Sequence, residues 1–243
     1  MKTVLFIITV AGRITLESDT LTVPRVAAFY LDYLKNHDMT AFVDRVARHY
    51  TQATLLRLAS SLQVDTRRAV AMILGFVGTY ESNSTLGGLL HDPDRSVRLL
   101  AEGSIKSVWS RDSLEDHRQQ LREIMRLISN QRFRDAIRLA NNLLDENPLF
   151  AEARNQRAIA LFAIGEFQDA IEDNTIVLDL NPFHFGAAIG MGHGYLQLKD
   201  TENAVICFQH ALGINPNLES VRHHLERLSQ QDIFSDFSSE PEA

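Results

Sequence analysis

Across 243 residues the chain carries one cysteine, Cys207, one tryptophan, Trp109, and six prolines. A single thiol excludes an intrachain disulfide framework. No Cys-x-x-Cys or His-x-x-x-His spacing offers a zinc set, and His184, His193 and His210 are too scattered to suggest metal ligands. No apolar stretch approaches the about 20 residues of a membrane-spanning helix. Catalytic signatures are equally scarce. No serine elbow occurs, and Cys207 sits beside Ile206 and Phe208 in a packed pattern rather than an electropositive one. The glycine-rich run from Gly186 to Gly194 follows no strand, so it does not read as a phosphate loop. The expectation is a non-enzyme with no cofactor and no metal.

Positive charge is missing from one half. Up to Ser110 there are 12 Lys+Arg against 10 Asp+Glu; from Arg111 onward there are 12 against 21. A surplus of carboxylates repels phosphates, which argues against a nucleic-acid partner for the C-terminal half. Apolar content of 45% is ordinary for a soluble globular protein. At the start, Val4 to Val10 imitates a leader peptide. The run spans seven residues, short of a secretory leader, and alternation continues through Ile14, Leu16, Leu21 and Val23. Residues 1–23 therefore read as a strand or short β-hairpin feeding Pro24, and a cytoplasmic protein is expected.

What is present is repetition. Asn147-Pro148, Asn181-Pro182 and Asn215-Pro216 stand 34 residues apart, with Ala136, Ala170 and Ala204 at matching places upstream. Gly192, Tyr195, Ala204, Phe208, Ala211 and Pro216 complete one unit; Ala158, Leu161, Gly165, Ala170 and Pro182 mark the one before. Small residues let two antiparallel helices approach, and proline ends the second helix of each pair. Period and residues together resemble the tetratricopeptide repeat (TPR). Three repeats are expected, near 117–150, 151–184 and 185–218, with a polar-backed cap to 231 and an acidic tail over 232–243. Two positions depart from the pattern: Ile124 where a small residue belongs, and Asn174 where a large apolar one does. Asn174 is expected to hydrogen-bond to the next helix.

A weaker repeat precedes these. Leu55 and Leu58 align with Leu86 and Leu89, and Thr66 to Ala69 with Val97 to Leu100, at an interval of 31. Leu89 to Ile105, with Asp92-Pro93 and Val97-Arg98, resembles a HEAT repeat of the short bacterial type. Asp92 or Asp94 is expected to cap a helix and Arg98 to bridge a neighbouring turn. The fold expected is all-α: a right-handed α-solenoid of stacked hairpins, HEAT-like over 24–110 and TPR over 114–231. With only Arg111 to Ser113 between them, the two arrays are expected to stack into one superhelix.

The TPR resemblance implies a concave wall made by the first helix of each pair, and a protein or peptide segment bound on it. The inward positions become Arg118, Leu121, Arg122, Met125 and Ile128; Glu152, Asn155, Gln156, Ile159, Phe162 and Ala163; and Gly186, Ile189, Gly190, His193, Leu196 and Gln197. Asn155 and Gln156 are placed to bond a peptide backbone. Gly186, Gly190 and Gly194 form a bare stripe that something must approach, either Phe150 or Phe162 or a ligand. The basic clamp by which some TPR domains hold acidic chaperone tails is absent, because Leu121, Met125, Gln156, Gly186 and Gly190 stand in its places. A Kd near micromolar is expected for one such groove, about −8 kcal/mol. Two other readings stem from the N-terminal half. One is a lyase-like or chaperone accessory role, from likeness to phycobilisome lyase-like HEAT proteins. The other is nucleic-acid binding through Arg45, Arg48, Arg57, Arg67 and Arg68.

Overall fold

A computed structural model describes residues 8–10, 13–15 and 24–237, with side chains over 24–229. Strands β1 (Ile8–Val10) and β2 (Arg13–Thr15) pair antiparallel, Thr9 opposite Ile14; the remainder of the segment expected as a hairpin lies outside the described residues. From Arg25 the described chain is helical. The N-terminal helices are α1 (Arg25–Asn36), α2 (Met39–His49), α3 (Gln52–Leu58), α4 (Val64–Val77), α5 (Asn83–Leu89) and α6 (Arg95–Arg111), with a short 3-10 turn at Tyr80–Ser82. Three hairpins follow: α7 (Glu115–Ser129) with α8 (Phe133–Glu146), α9 (Ala151–Ala163) with α10 (Phe167–Leu180), and α11 (Phe185–Gln197) with α12 (Thr201–Ile214). The last helix, α13 (Glu219–Phe237), runs past the expected end at 231 into the segment expected to be a tail. Asp38, Thr51, Asp94 and Asp200 cap their helices by accepting the N–H of the residue three on.

The 34-residue period is visible as repeated backbone geometry. Asn147, Asn181 and Asn215 are extended, with φ of −138°, −141° and −132°, and each donates its N–H to the carbonyl four residues back. The following proline ring forbids the α region to the residue before it, so each second helix stops there. At the other end of each hairpin stands one left-handed residue: Gln131 (φ 59°), Gly165 (φ 88°) and Lys199 (φ 63°). Small residues sit where helices cross. Ala136, Ala140, Ala170, Ala204 and Ala211 are buried, and a Cβ added to Gly192 would lie 2.6 Å from the Phe208 ring. Ile124, the exception to the small-residue rule, is fully buried in a core that α7, α8 and α9 share with Leu121, Leu143 and Phe150.

The two arrays do not stack end to end as expected. A single core joins α1–α6 to Phe185 and Ala188 of α11 and to Ala211 and Ile214 of α12. The N-terminal helices lie along the edge made by the Asn-Pro turns. Tyr80 Oη donates to the Leu180 carbonyl (3.1 Å), Asn83 Nδ2 to Asn181 Oδ1 (2.9 Å), and His91 Nε2 meets the Ile214 carbonyl (3.1 Å). The reason is geometric. Arg67 and Arg98 both donate to carbonyls six and five residues upstream, Ser61 and Leu62 for one, Asp92 and Pro93 for the other. The remainder of Arg67 grips Asp92 of the next unit at 2.6 and 3.0 Å. Arg98 turns instead to Asn217 Oδ1, at 2.8 Å, in the Asn215-Pro216-Asn217 turn. The TPR turn thus occupies the place of a further N-terminal repeat.

Gly165 has open space where a Cβ would go, so only its left-handed backbone resists substitution. Gly165→Ala is expected to lower unfolding free energy by about 1 kcal/mol, measured by urea denaturation, with no change in helical circular dichroism.

Candidate partner-binding surface

The residues predicted to line the inner wall divide sharply along the first helices. Toward their C-terminal ends the wall is open. Met125 of α7 is 40% exposed and Ile159 of α9 is 44% exposed. Phe162 is partly exposed, and Ala163 and Gln197 are exposed. Met125, Ile159 and His193 repeat at 34, as do Ile128, Phe162 and Leu196, so two rows cross three neighbouring helices. His193 leans toward the cap. Its ring lies 5.2 Å from Phe208 and 5.6 Å from His224 of α13. Burial pushes the His193 imidazole below its ordinary value, and the neighbouring His224 adds to that push.

Toward the N-terminal ends the wall is closed. Asn155 and Gln156 are buried and do not face an open groove. Both amides donate to Glu152 Oε1, at 3.5 and 2.7 Å, while Glu152 Oε2 meets His184 Nε2 at 3.1 Å. His184 Nδ1 accepts the Ala187 N–H at 3.0 Å and caps α11, so its proton resides on Nε2. The Trp109 ring stacks on His184, centroids 4.3 Å apart and 19° from parallel, and packs at 5.3 Å from Phe185. Its Nε1 donates to Asn83 Oδ1 (2.7 Å), whose amide continues to Asn181. The groove's expected middle is thereby filled by the chain itself, because the buried carboxylate of Glu152 requires donors and Asn155 and Gln156 supply them. Arg118 and Arg122, expected to favour an acidic ligand, share the Glu115 carboxylate at 2.5 and 3.0 Å.

The glycine stripe is a packing device at two of its three positions. A Cβ on Gly190 would lie 2.6 Å from Asn174 Nδ2, and one on Gly194 would lie 2.7 Å from Ile171. The neighbour is therefore α10, not Phe150 or Phe162. Gly186 meets only the His184 ring, at 3.4 Å. Asn174 packs its amide over Gly190 and leaves Oδ1 without a partner among the described residues, where a hydrogen bond to the next helix was expected. On a different face of α9, a polar cleft of about 490 Å³ opens between α8 and α10. There Arg157 is bidentate on the buried Asp173 (2.8 and 2.6 Å), with Arg154 at 3.2 Å.

Trp109, Phe183 and His184 were not recognised as a linked set from the sequence, although the repeats held a signal. Six residues after Pro148 and Pro216 stand Arg154 and Arg222, each donating to that proline's carbonyl. Six after Pro182 stands Ala188, fully buried in the core that contains Trp109. The missing arginine marks where α6 docks. A second mark is Gly87, where an added Cβ would lie 2.3 Å from the Phe183 ring. The contact is imperfectly satisfied. Asn181 Nδ2, Asn215 Nδ2, Asn217 Nδ2 and Ser82 Oγ, all in or beside it, find no hydrogen-bond partner among the described residues. Each such group costs about 1–3 kcal/mol, which offsets part of the gain from burying Trp109 and Phe185.

No helix of the described residues is long and apolar enough to cross a membrane. Residues 121–185 match the tetratricopeptide repeat family, so the chain carries TPR repeats. The TPR domain of Sgt2 from Aspergillus fumigatus is 19% identical and aligns over 54% of this chain and 87% of its own, with a TM-score of 0.50. That is a likeness of fold. The first TPR domain of RPAP3 (Spaghetti), solved bound to the HSP90 peptide SRMEEVD, is 21% identical over 47% of this chain and 91% of that one, with a TM-score of 0.46. MamA is 19% identical over 79% of this chain and 97% of its own, with a TM-score of 0.39.

The depressed titration of His193 has a signed consequence. Folding favours its neutral form, so the contribution is intact above about pH 6.5 and is lost as the pH falls below it, when the unfolded state takes up the proton first. Melting temperature is expected to fall between pH 8 and pH 5.5, and to fall less in His193→Gln. Equal drops in the two proteins would contradict this assignment.

Proposed function

We propose that the protein is a non-catalytic adaptor, a right-handed solenoid that holds a partner's peptide segment on the open, C-terminal half of its TPR inner wall. The observation that carries the reading is the pair of rows Met125–Ile159–His193 and Ile128–Phe162–Leu196. Large apolar side chains such as Met125 and Ile159 stand exposed there, on adjacent first helices, without a cover. The seat consists of Met125, Ile159, Phe162, His193 and Gln197. Arg118 and Arg122 lie on its first-unit side but are engaged by Glu115, so an acidic ligand gains little from them. The places of a basic clamp hold Leu121, Met125, Gln156, Gly186 and Gly190, which argues for an apolar segment over a carboxylate-rich tail. The Asn155–Gln156 pair belongs to the internal network around Glu152 and leaves this seat.

The helices α1–α6 are read as HEAT-like repeats, supported by the shared bonding of Arg67 and Arg98 at an interval of 31. Nucleic-acid binding by this half is disfavoured. Arg67 and Arg68 are spent on Asp92 and Asp94, and Arg45 on Asp32. Arg68 holds the Asp94 carboxyl down to about 2, so this pairing persists across ordinary pH.

Peptides selected by phage display against the full chain test the reading. The best binder is expected to show a Kd near micromolar, weakened at least 10-fold by Ile159→Asp and unaffected by Arg48→Ala, while circular dichroism stays constant. Equal affinity for wild type and Ile159→Asp would remove the open wall as the site.

A further inference from the structure

The closed half of the wall has a chemistry of its own. Its present occupant is α6, and two side chains three residues apart on one helical face do the docking. Lys106 Nζ sits 5.1 Å over the Phe185 ring, and Trp109 stacks on His184 and packs against Phe185. The floor is made small by Ala188, and α5 is brought in by the bare backbone of Gly87 against Phe183. Permanent interfaces pair their buried polar groups. This one leaves Asn181, Asn215, Asn217 and Ser82 each with an unpartnered polar atom, groups that water would satisfy once the contact opened.

We propose that the seat formed by Phe183, His184, Phe185 and Ala188 is an exchangeable helix-binding site: α6 occupies it in cis, and its external partner is a helix presenting a basic residue followed three positions later by an aromatic ring. The proposal stands apart from the open-wall reading, since it uses none of that seat's residues. The cis helix competes at high effective concentration, so the site is masked in the resting chain. A partner gains entry by offering the same Lys-and-indole face.

The probe is a fluorescein-labelled peptide of residues 95–111, which carries Lys106 and Trp109, titrated by anisotropy into full-length protein. Trp109→Ala, which weakens the cis occupant, is expected to bind it at least 10-fold more tightly than wild type does. Adding Phe183→Ala, or using a peptide with Lys106→Glu, is expected to abolish the gain. A folded Trp109→Ala protein that binds no better than wild type overturns the proposal, and the phage-display peptide for the open wall, retained at unchanged affinity, would show that reading to survive. Should Trp109→Ala not fold, Gly87→Ala replaces it, with Gly88→Ala as control, because a Cβ there meets nothing within 4 Å. In Gly87→Ala the single tryptophan is expected to shift its emission to the red and become quenchable by acrylamide, with peptide binding appearing alongside. Shielded tryptophan and no binding in both glycine variants would also overturn the proposal. A wild-type dimer in sedimentation that is lost in Phe183→Ala would hand the seat to a second copy of the chain and overturn the external-partner assignment.

Discussion

A proline offers no N–H and forces the residue before it out of the helical region. At Pro148, Pro182 and Pro216 that constraint stops three helices at a constant interval. It turns the chain so that each new first helix lies beside the last, and it leaves extended asparagines along one edge. Those asparagines have side chains to spare. Asn147 reaches Ser113 at 3.0 Å and Asn181 reaches Asn83 at 2.9 Å, while Asn217, two residues past Asn215, receives Arg98. The edge that closes each hairpin is therefore also the edge that receives the N-terminal helices.

This changes what an inner wall means in this chain. Paired helices stacked through small residues create a curved face whose inward positions repeat at 34. Whether a given position is available then depends on what else is packed there. At the C-terminal ends of the first helices nothing among the described residues covers Met125 and Ile159. At the N-terminal ends Trp109 and His184 close the face, and a buried carboxylate draws in the two amides that had seemed best suited to a peptide backbone.

The period, the hairpins and the small-residue crossings were legible because they are local. Ala136, Ala170, Ala204 and the three prolines act on residues within a turn or a neighbouring helix, and their effects recur in register. The 31-residue repeat was legible for the same reason, through Arg67 and Arg98. The glycine stripe was legible only as a question. Gly190 and Gly194 announced a close approach, yet periodicity alone does not say that Asn174 and Ile171 of α10 make it, rather than an aromatic ring or a ligand.

Read alone, the sequence determined the all-helical architecture, the register of the repeats and the positions that face inward, since each follows from backbone rules acting over a few residues. The tertiary structure alone decided that the two arrays meet side by side and that half of the inner wall is already taken. The physical reason is range. Trp109 and His184, Gly87 and Phe183, Arg98 and Asn217 are each separated by 75 residues or more, and nothing in local spacing couples them until the chain has folded back and the buried surfaces have chosen their partners.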